Sequence, residues 1–517
     1  MDTHHIAAML PPLWGHVVPF IHLSVQLLNA DPTLVLTIVD HNFMVGRMKK
    51  EFAVCDYDAA RLRIIGVGEK TFSEADPPTL QLIRGWADVA PVLARGSQEW
   101  PKPHAIILDF TVGGSVLKQT KKIFGPETKT LVWWSMNAAP MFTILTEYDH
   151  RAIFNKYWAD EKLRAGRSKK QLELDIFGAW NGKDRLTGEV VQVLGTSSIY
   201  DYERQSWAAG HPGALNRPLI ISGHILDQGV DGYITVSSTA IEPVTIPHLR
   251  RFYRARGQSL FAVGQQTHEK YFQEGATFKE PVTNKLISKF LEDAYTKFGK
   301  NSLIYVSFGS LFFPIANTKH VEALLDTLLA SNFPFIFVMP ALGANMKGGL
   351  SKSFIDRVNA TGKGLIYSGW LEQRAILQHA ATGWFLTHGG MNSITEAVLL
   401  GIPMIFWPNG VEQPVNAVHF TSGQHPIAFE LLQIRTGGQI GPSLRFGDSV
   451  KITGTVEDAI AEFKTVFSEA RGPKGEVLRA NTYRVAAALR DGRKTESLVD
   501  IKRLAQFGRM AESTARL

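Results

Sequence analysis

The chain has 517 residues, and 55 Lys and Arg against 48 Asp and Glu give it a formal net charge of +7. Its basic clusters, at 47–50, 164–170 and 250–256, are short and scattered, which disfavours a charge-driven nucleic-acid role. Thirty Phe, 11 Trp and 12 Tyr exclude wholesale disorder, and a lone cysteine, Cys55, excludes an intramolecular disulfide and suits a reducing compartment.

The opening MDTHHIAAMLPPLWGH lacks the basic region and uninterrupted apolar stretch of a signal peptide. No apolar run reaches the ~18 residues that a membrane span needs, and the closing RLAQFGRMAESTARL carries no anchor. The expectation is a soluble, cytoplasmic protein.

Short apolar runs then recur along the chain: 6–10, 34–39, 105–108, 131–134 and 233–236, followed by 303–308, 335–339, 364–367, 384–387 and 404–407. They are continuous rather than alternating, as in parallel strands buried on both faces. Helical patterns lie between them, clearest at Val321, Leu324, Leu325, Leu328 and Leu329, and again after Thr455, which stands three residues before Asp458 as a cap. Strand–helix alternation predicts an α/β protein with doubly wound parallel sheets. The polar, turn-rich stretch after Gly264 reads as a linker. The predicted division is a first domain at 1–264, a linker at 265–300, a second domain at 301–490 and a C-terminal segment at 491–517. Ligands in such sheets gather at the carboxyl ends of the strands.

The strongest signal is WLEQRAILQHAATGWFLTHGGMNSITEAVLLGIPMIFWPNGVEQPVNA, beginning at Trp370. Strand 384–387 ends at His388; Gly389 and Gly390 follow, then Asn392 and Ser393 at a helix start. A helix N-terminus suits a phosphate, glycines let it approach the backbone, and His388 can donate to the same anion. Glu396, one turn on, can accept from ribose hydroxyls. Trp370 can stack on a base, an interaction worth ~1–3 kcal/mol, and Glu412 and Gln413 can bind vicinal sugar hydroxyls. Taken singly, each residue has a plainer reading: a glycine turn, a structural histidine, a core tryptophan, a helix cap.

Together, Trp370, Gln373, His379, Gly383, Phe385, Thr387, His388, Gly390, Asn392, Ser393, Glu396, Gly401, Pro403, Pro408, Glu412 and Gln413 resemble the signature box of UDP-dependent glycosyltransferases of family 1, the box named for plant secondary-product enzymes. The resemblance implies a GT-B fold, two Rossmann-like domains facing across a cleft. It makes the domain at 1–264 the acceptor-binding one and the segment at 491–517 a helix that returns to it. It implies that Trp370 stacks on uracil with Gln373 beside it, and that His388, Gly390, Asn392 and Ser393 hold the diphosphate. Glu396 would bind the ribose, and Glu412 with Gln413 the transferred sugar, favouring glucose. LIYVSFGS, 303–310, resembles the family's first strand and loop of that domain, so Ser310 would reach the diphosphate from the other side. Two departures stand out: Gly389-Gly390-Met391 replaces Cys-Gly-Trp after the histidine, and Glu372 replaces a proline. They make the chain less plant-like.

In the N-terminal half, His16 follows the first strand and Asp109 ends a mid-domain strand. In a parallel sheet both lie at one edge, and an imidazole backed by a carboxylate is a general base. The resemblance makes these two the base and its orienting acid. Ser135, in VWWS, would touch the sugar or β-phosphate, and Trp14, Phe110, Trp134 and Met136 would form an acceptor wall. Trp133 crowds the same strand ends. His4, His5, His22 and His41 match no such role. Asp56-Tyr57-Asp58 imitates a metal-binding D-x-D, but it precedes the strand at 62–65 and so lies at the opposite edge.

The resulting expectation is a metal-independent, inverting UDP-glycosyltransferase. It would act as a monomer, with a UDP-sugar as co-substrate and a small hydrophobic acceptor, and with neither cofactor nor nucleic-acid partner. Sterol or glycolipid acceptors, a UDP-sugar epimerase on the same fold and a non-catalytic UDP-sugar binder are the alternatives.

Overall fold

Buried apolar strands set the architecture. The structure is a computed structural model describing residues 3–69, 71, 73, 75–142, 150–169, 171–172, 190–204, 226, 229–273, 279–310, 313–339, 349–447 and 449–509. Contacts divide the chain into a first unit, 1–149 with 214–269 and 489–517, and a second unit, 150–213 with 270–488.

In the first unit, β1 (His4–Met9), β2 (Leu34–His41), β3 (Leu62–Val67), β4 (Ala105–Asp109) and β5 (Lys129–Trp134) follow in sequence. The chain then forms a two-stranded antiparallel ribbon in the second unit, β6 (Val190–Val191) with β7 (Ile199–Tyr200), before β8 (Gly232–Thr235) and β9 (Ser259–Ala262) complete the first sheet. The first sheet runs β3-β2-β1-β4-β5-β8-β9, parallel throughout. Every residue of β1, β2 and β4 is buried, which is why their sequences are apolar without alternation. Strand order reverses between β1 and β4, and such a switch point opens a crevice at the carboxyl ends of the two strands.

The second unit repeats the plan. Its strands are β10 (Leu303–Ser307), β11 (Phe335–Met339), β12 (Gly364–Ser368), β13 (Thr382–Thr387), β14 (Met404–Phe406) and β15 (Ala428–Glu430). Their order is β12-β11-β10-β13-β14-β15, again parallel, with the switch point between β10 and β13. The helix Thr318–Ala330 turns its periodic face, including Val321, Leu324, Leu325 and Leu328, into a core shared with Phe463 and Phe467 of the helix Val456–Ala470. Thr455 caps that second helix by accepting from the Asp458 N–H at 3.2 Å.

Three features differ from the sequence expectation. Residues 285–298, inside the stretch read as linker, form a helix capped by Asn284, whose Oδ1 accepts from Leu286 N and Ile287 N. Residues 150–213 cluster with the second unit rather than with 1–149. Their anchor is Glu203, 3 % exposed, which accepts from Ser443 Oγ at 2.6 Å and Leu444 N at 3.0 Å and pairs with Arg435 at 3.2 Å. The short strands β9 and β15 are not among the apolar runs read from the sequence, and Glu430 interrupts the apolar stretch of β15.

Residues 489–517 belong to the first unit. The helix Glu496–Ala505 presents Asp500 to Ala262 N and to Arg250, each at 2.8 Å, and its Ala505 carbonyl accepts from His4 Nε2 at 3.2 Å. Gly264, at φ +71°, is required here because a Cβ would run into the Ser497 side chain. Among the described residues no helix is long and apolar enough to cross a membrane.

Candidate active site

The first unit holds an imidazole–carboxylate pair at its switch point. β1 ends at Met9, the Leu10–Leu13 turn follows, and His16 stands in the first turn of the helix Trp14–Ala30. Asp109 is the last residue of β4. His16 Nδ1 lies 2.8 Å from Asp109 Oδ2, with the histidine side chain 18 % exposed and the aspartate fully buried. The other carboxylate oxygen accepts from Thr111 N at 2.8 Å and Thr111 Oγ1 at 2.7 Å. An ionised Asp109 makes Nδ1 the donor, so Nε2 carries the lone pair that can take a proton. The imidazole stacks on Phe110 (centroids 5.4 Å apart, planes at 19°), and Trp133 Nε1 donates to the His16 carbonyl at 3.0 Å, fixing the helix start. Asp40, at the carboxyl end of β2, is fully buried, and its Oδ1 accepts from His41 N at 2.6 Å. Burial first, then the nearby Asp109 charge, push its carboxyl well above the ordinary range.

The aromatic residues sort differently from the expectation. Phe110 lies between His16 and Trp134, whose ring centroid is 4.4 Å from its own. Trp134 is fully buried and its indole N–H is committed to the Asn137 carbonyl at 2.7 Å, so it is a core residue rather than a wall. Met136 is 4 % exposed, as is Ser135, so both are also largely enclosed. Trp14 is half-buried, with the Arg47 guanidinium 3.7 Å from its ring centroid. The turn after β5 is pinned by Glu242, a residue the sequence did not single out, which accepts from Ala138 N at 2.6 Å and Ala139 N at 2.7 Å.

In the second unit, the residues from the box gather at the carboxyl ends of β10, β12, β13 and β14. His388 follows β13, and Gly389 (φ +83°) turns the chain into the helix Met391–Leu399. Gly390 is the N-cap and supplies no side-chain cap, so Asn392 and Ser393 lie within the first turn instead of capping it. A Cβ at Gly309 or Gly390 would stand 2.8 or 2.6 Å from His388 Nε2; the two glycines therefore leave room for the ring. Burial pulls His388 down to about 4, against a backbone hydrogen bond at Ser307, so it is a neutral donor near pH 7. Ser310 sits in an exposed turn just past β10.

Gln373 Nε2 donates to Glu396 Oε2 at 2.7 Å and, at a longer 3.4 Å, to Ser393 Oγ, which ties the ribose and phosphate candidates together. Trp370 lies two residues past β12 and is 61 % exposed, unlike a core tryptophan. Glu372, the departure from proline, accepts from Thr283 Oγ1. Glu412 is the N-cap of the helix Gln413–Thr421. Gln413 is turned inward: its Oε1 accepts from Asn409 N at 2.8 Å and Gly410 N at 3.1 Å, leaving the amide N–H as its polar group for a ligand. Asn416, unnoticed in sequence, donates to the Gly389 carbonyl at 2.9 Å and so fixes the loop before the phosphate helix.

Asp58 of the D-x-D imitation caps the turn 59–61 and pairs with Arg61 at 3.1 Å, ahead of β3.

Two parallel sheets of this order, each with its own switch point, define the GT-B fold. The fold is shared with the Phytolacca americana UGT2 complexed with UDP-2fluoro-glucose and pterostilbene, at TM-score 0.66 and 17 % identity over 98 % of this chain and 100 % of that one. It is shared equally with Medicago truncatula UGT71G1 complexed with UDP-glucose, at TM-score 0.66 and 17 % identity over 98 % of each chain. Residues 279–436 match the family model described as UDP-glucoronosyl and UDP-glucosyl transferase. Along nearly its whole length the chain is similar to UDP-glycosyltransferase eriJ of Hericium erinaceus, 26 % identical over 509 residues, covering 94 % of this chain and 95 % of that protein. Residues 279–436 thus carry a UDP-glycosyltransferase domain of glycosyltransferase family 1, and a UDP-sugar is the co-substrate. A fungal full-length relative accords with its departures from the plant box.

Proposed function

We propose that this UDP-glycosyltransferase moves glucose from UDP-glucose to a hydroxyl of a small hydrophobic acceptor, inverting the anomeric carbon. The observation that carries the reading is the 2.8 Å contact between His16 Nδ1 and a buried Asp109, which leaves Nε2 as the proton acceptor. His16 takes the proton of the acceptor hydroxyl as that oxygen attacks the anomeric carbon. The bond from that carbon to the UDP oxygen breaks, and its electron pair leaves with UDP. Asp109 stabilises the imidazolium, and Thr111 keeps the carboxylate oriented.

On the donor side, the exposed face of Trp370 takes the uracil and Glu396, aligned by Gln373, takes the ribose. The diphosphate meets the first N–H groups of the helix Met391–Leu399, with Asn392, Ser393, Ser310 and the neutral His388. These donors stabilise the leaving group without a metal ion. Glu412 accepts from sugar hydroxyls, while Gln413 contributes through its amide N–H. Ser135 lies at the carboxyl end of β5 as a sugar or phosphate contact. Trp14, half-buried in the same first turn as His16, offers apolar surface near the base, while the enclosed Phe110 backs the imidazole; this favours an aromatic or otherwise apolar acceptor. Pterostilbene in the Phytolacca americana structure is an acceptor-sized molecule of that kind.

The test is incubation with UDP-glucose and a panel of hydroxylated hydrophobic acceptors, read by mass spectrometry and by product stereochemistry. β-Glucosides are the expected products. Conversion of the UDP-sugar to an epimer without any acceptor would overturn the reading.

A further inference from the structure

A second polar cavity lies at the opposite edge of the same sheet. It measures about 460 Å³ and is lined by residues that precede or flank the amino ends of β10, β11 and β13, among them Lys300, Asn301, Asn332, Arg471, Glu476 and Arg479. All six belong to the second unit, and none is part of the donor set described above.

Its charge is unbalanced. Arg471 Nη1 and Nη2 donate only to the carbonyls of Ser331 and Asn332, each at 2.8 Å, and its guanidinium lies 3.8 Å from the Phe333 ring centroid. Arg479 Nη2 donates to the Gly383 carbonyl at 2.8 Å, with its guanidinium 5.8 Å from the Trp384 ring centroid. Among the described residues neither guanidinium has a carboxylate within ion-pair distance, and neither does Lys300. Glu476 is the single carboxylate on the wall, so three cations face one anion. Arg479 is half-buried, and burial lowers it from its ordinary value against the pull of Tyr483 and Glu476, whereas Arg471 and Lys300 are exposed. Three cations around one carboxylate give the wall a net positive charge, which attracts an anion. Two of the few non-glycine residues at positive φ, Asn301 (φ +58°) and Asn332 (φ +54°), turn the chain around this cavity.

We propose that this cavity is a second anion site, taking a compact oligophosphate group, either free or carried by a nucleotide. The group would place its negative oxygens among Lys300, Arg471 and Arg479, where guanidinium forks match phosphate geometry. The volume suffices for a diphosphate with further substituents.

The test is calorimetric titration of the full chain with inorganic pyrophosphate while saturating UDP occupies the donor set. The expected result is one pyrophosphate per chain. Lys300→Glu should weaken it by at least about tenfold, as should raising sodium chloride from about 50 to about 300 mM. Lys300 is exposed and its ammonium makes no hydrogen bond among the described residues, so this variant should keep the fold and the transfer rate measured without pyrophosphate. Arg479→Lys, which keeps the charge but loses the fork, should weaken binding less. ATP in place of pyrophosphate separates the sources: tighter binding of ATP assigns the nucleotide-borne group, and equal or weaker binding assigns the free one. Absence of pyrophosphate binding to the UDP-saturated wild type, or unchanged affinity in Lys300→Glu, would overturn the proposal.

Discussion

His388 shows what burial does to a residue whose type and position were legible. Its place after β13 and before two glycines could be read directly, but its charge state could not. Held down to about 4, it is a neutral imidazole, so in the proposed donor site the diphosphate charge would fall to the helix N-terminus and backbone. The KM for the UDP-sugar should therefore show no His388 titration between about pH 6 and 8. His388→Ala should weaken donor binding by about 1–3 kcal/mol, with partial rescue by Gln. A KM that rises steeply through pH 6.5 and loses that dependence in the Ala variant would contradict this.

Asp40 was not singled out at all, because a strand-end aspartate has no local mark of its protonation. Burial and then the Asp109 charge raise its carboxyl well above the ordinary range, which favours the neutral acid. Asp40→Asn should then leave the pH–rate profile unmoved, whereas Asp40→Ala, which strips the acceptor from His41 N, should cost about 1–3 kcal/mol in chemical unfolding. An acid limb shifted in the Asn variant would show that Asp40 is ionised. Trp134 teaches a related point. An aromatic in a strand buried on both faces reads the same whether it lines a site or fills the core.

At the level of elements, the apolar strands and the helix 318–330 were legible from periodicity, while β9 and β15, which lie at the sheet edges, were not. The amino edge of the first sheet hides a histidine cluster. His4 and His104 have ring centroids 5.0 Å apart, and both His104 nitrogens are buried without a hydrogen-bond partner. Burial, and then neighbouring positive charge, bring His104 to about 3, and burial brings His5 to about 4; His4 is lowered by burial against the pull of Asp31. A histidine with a depressed folded pKa binds fewer protons folded than unfolded. Its contribution is whole above the ordinary 6.5 and is lost as pH falls towards the folded value. His104→Phe should therefore gain on the order of 1–3 kcal/mol relative to the wild type between pH 7 and about 4. Denaturant unfolding at the two pH values reads this, and an equal wild-type–variant difference at both would contradict it.

For the whole molecule, the box at 370–413 announced the second unit and its family. Sequence could not show that 150–213 joins that unit, because the ties among the described residues are long-range: the buried Glu203 carboxylate, and Tyr202, whose hydroxyl donates to the Pro442 carbonyl at 2.5 Å. Although burial pushes Glu203 up, hydrogen bonds from Ser443, Leu444 N and Tyr200 N, together with the Arg435 charge, hold it below the usual carboxylate range. Arg435 in turn reaches Glu430 at 3.1 Å. Glu203→Ala would leave buried Arg435 with one carboxylate fewer and should cost about 3–5 kcal/mol, with residues 190–204 becoming the first cleaved in limited proteolysis. An unchanged proteolytic pattern would contradict that anchoring.

The His16–Asp109 pair is the central claim, and steady-state kinetics of His16→Ala with UDP-glucose and the best acceptor test it most directly. The account predicts that kcat falls by about 10²–10⁴-fold while the KM for the donor holds, and that Asp109→Asn falls in the same direction. Full transfer by His16→Ala would contradict it.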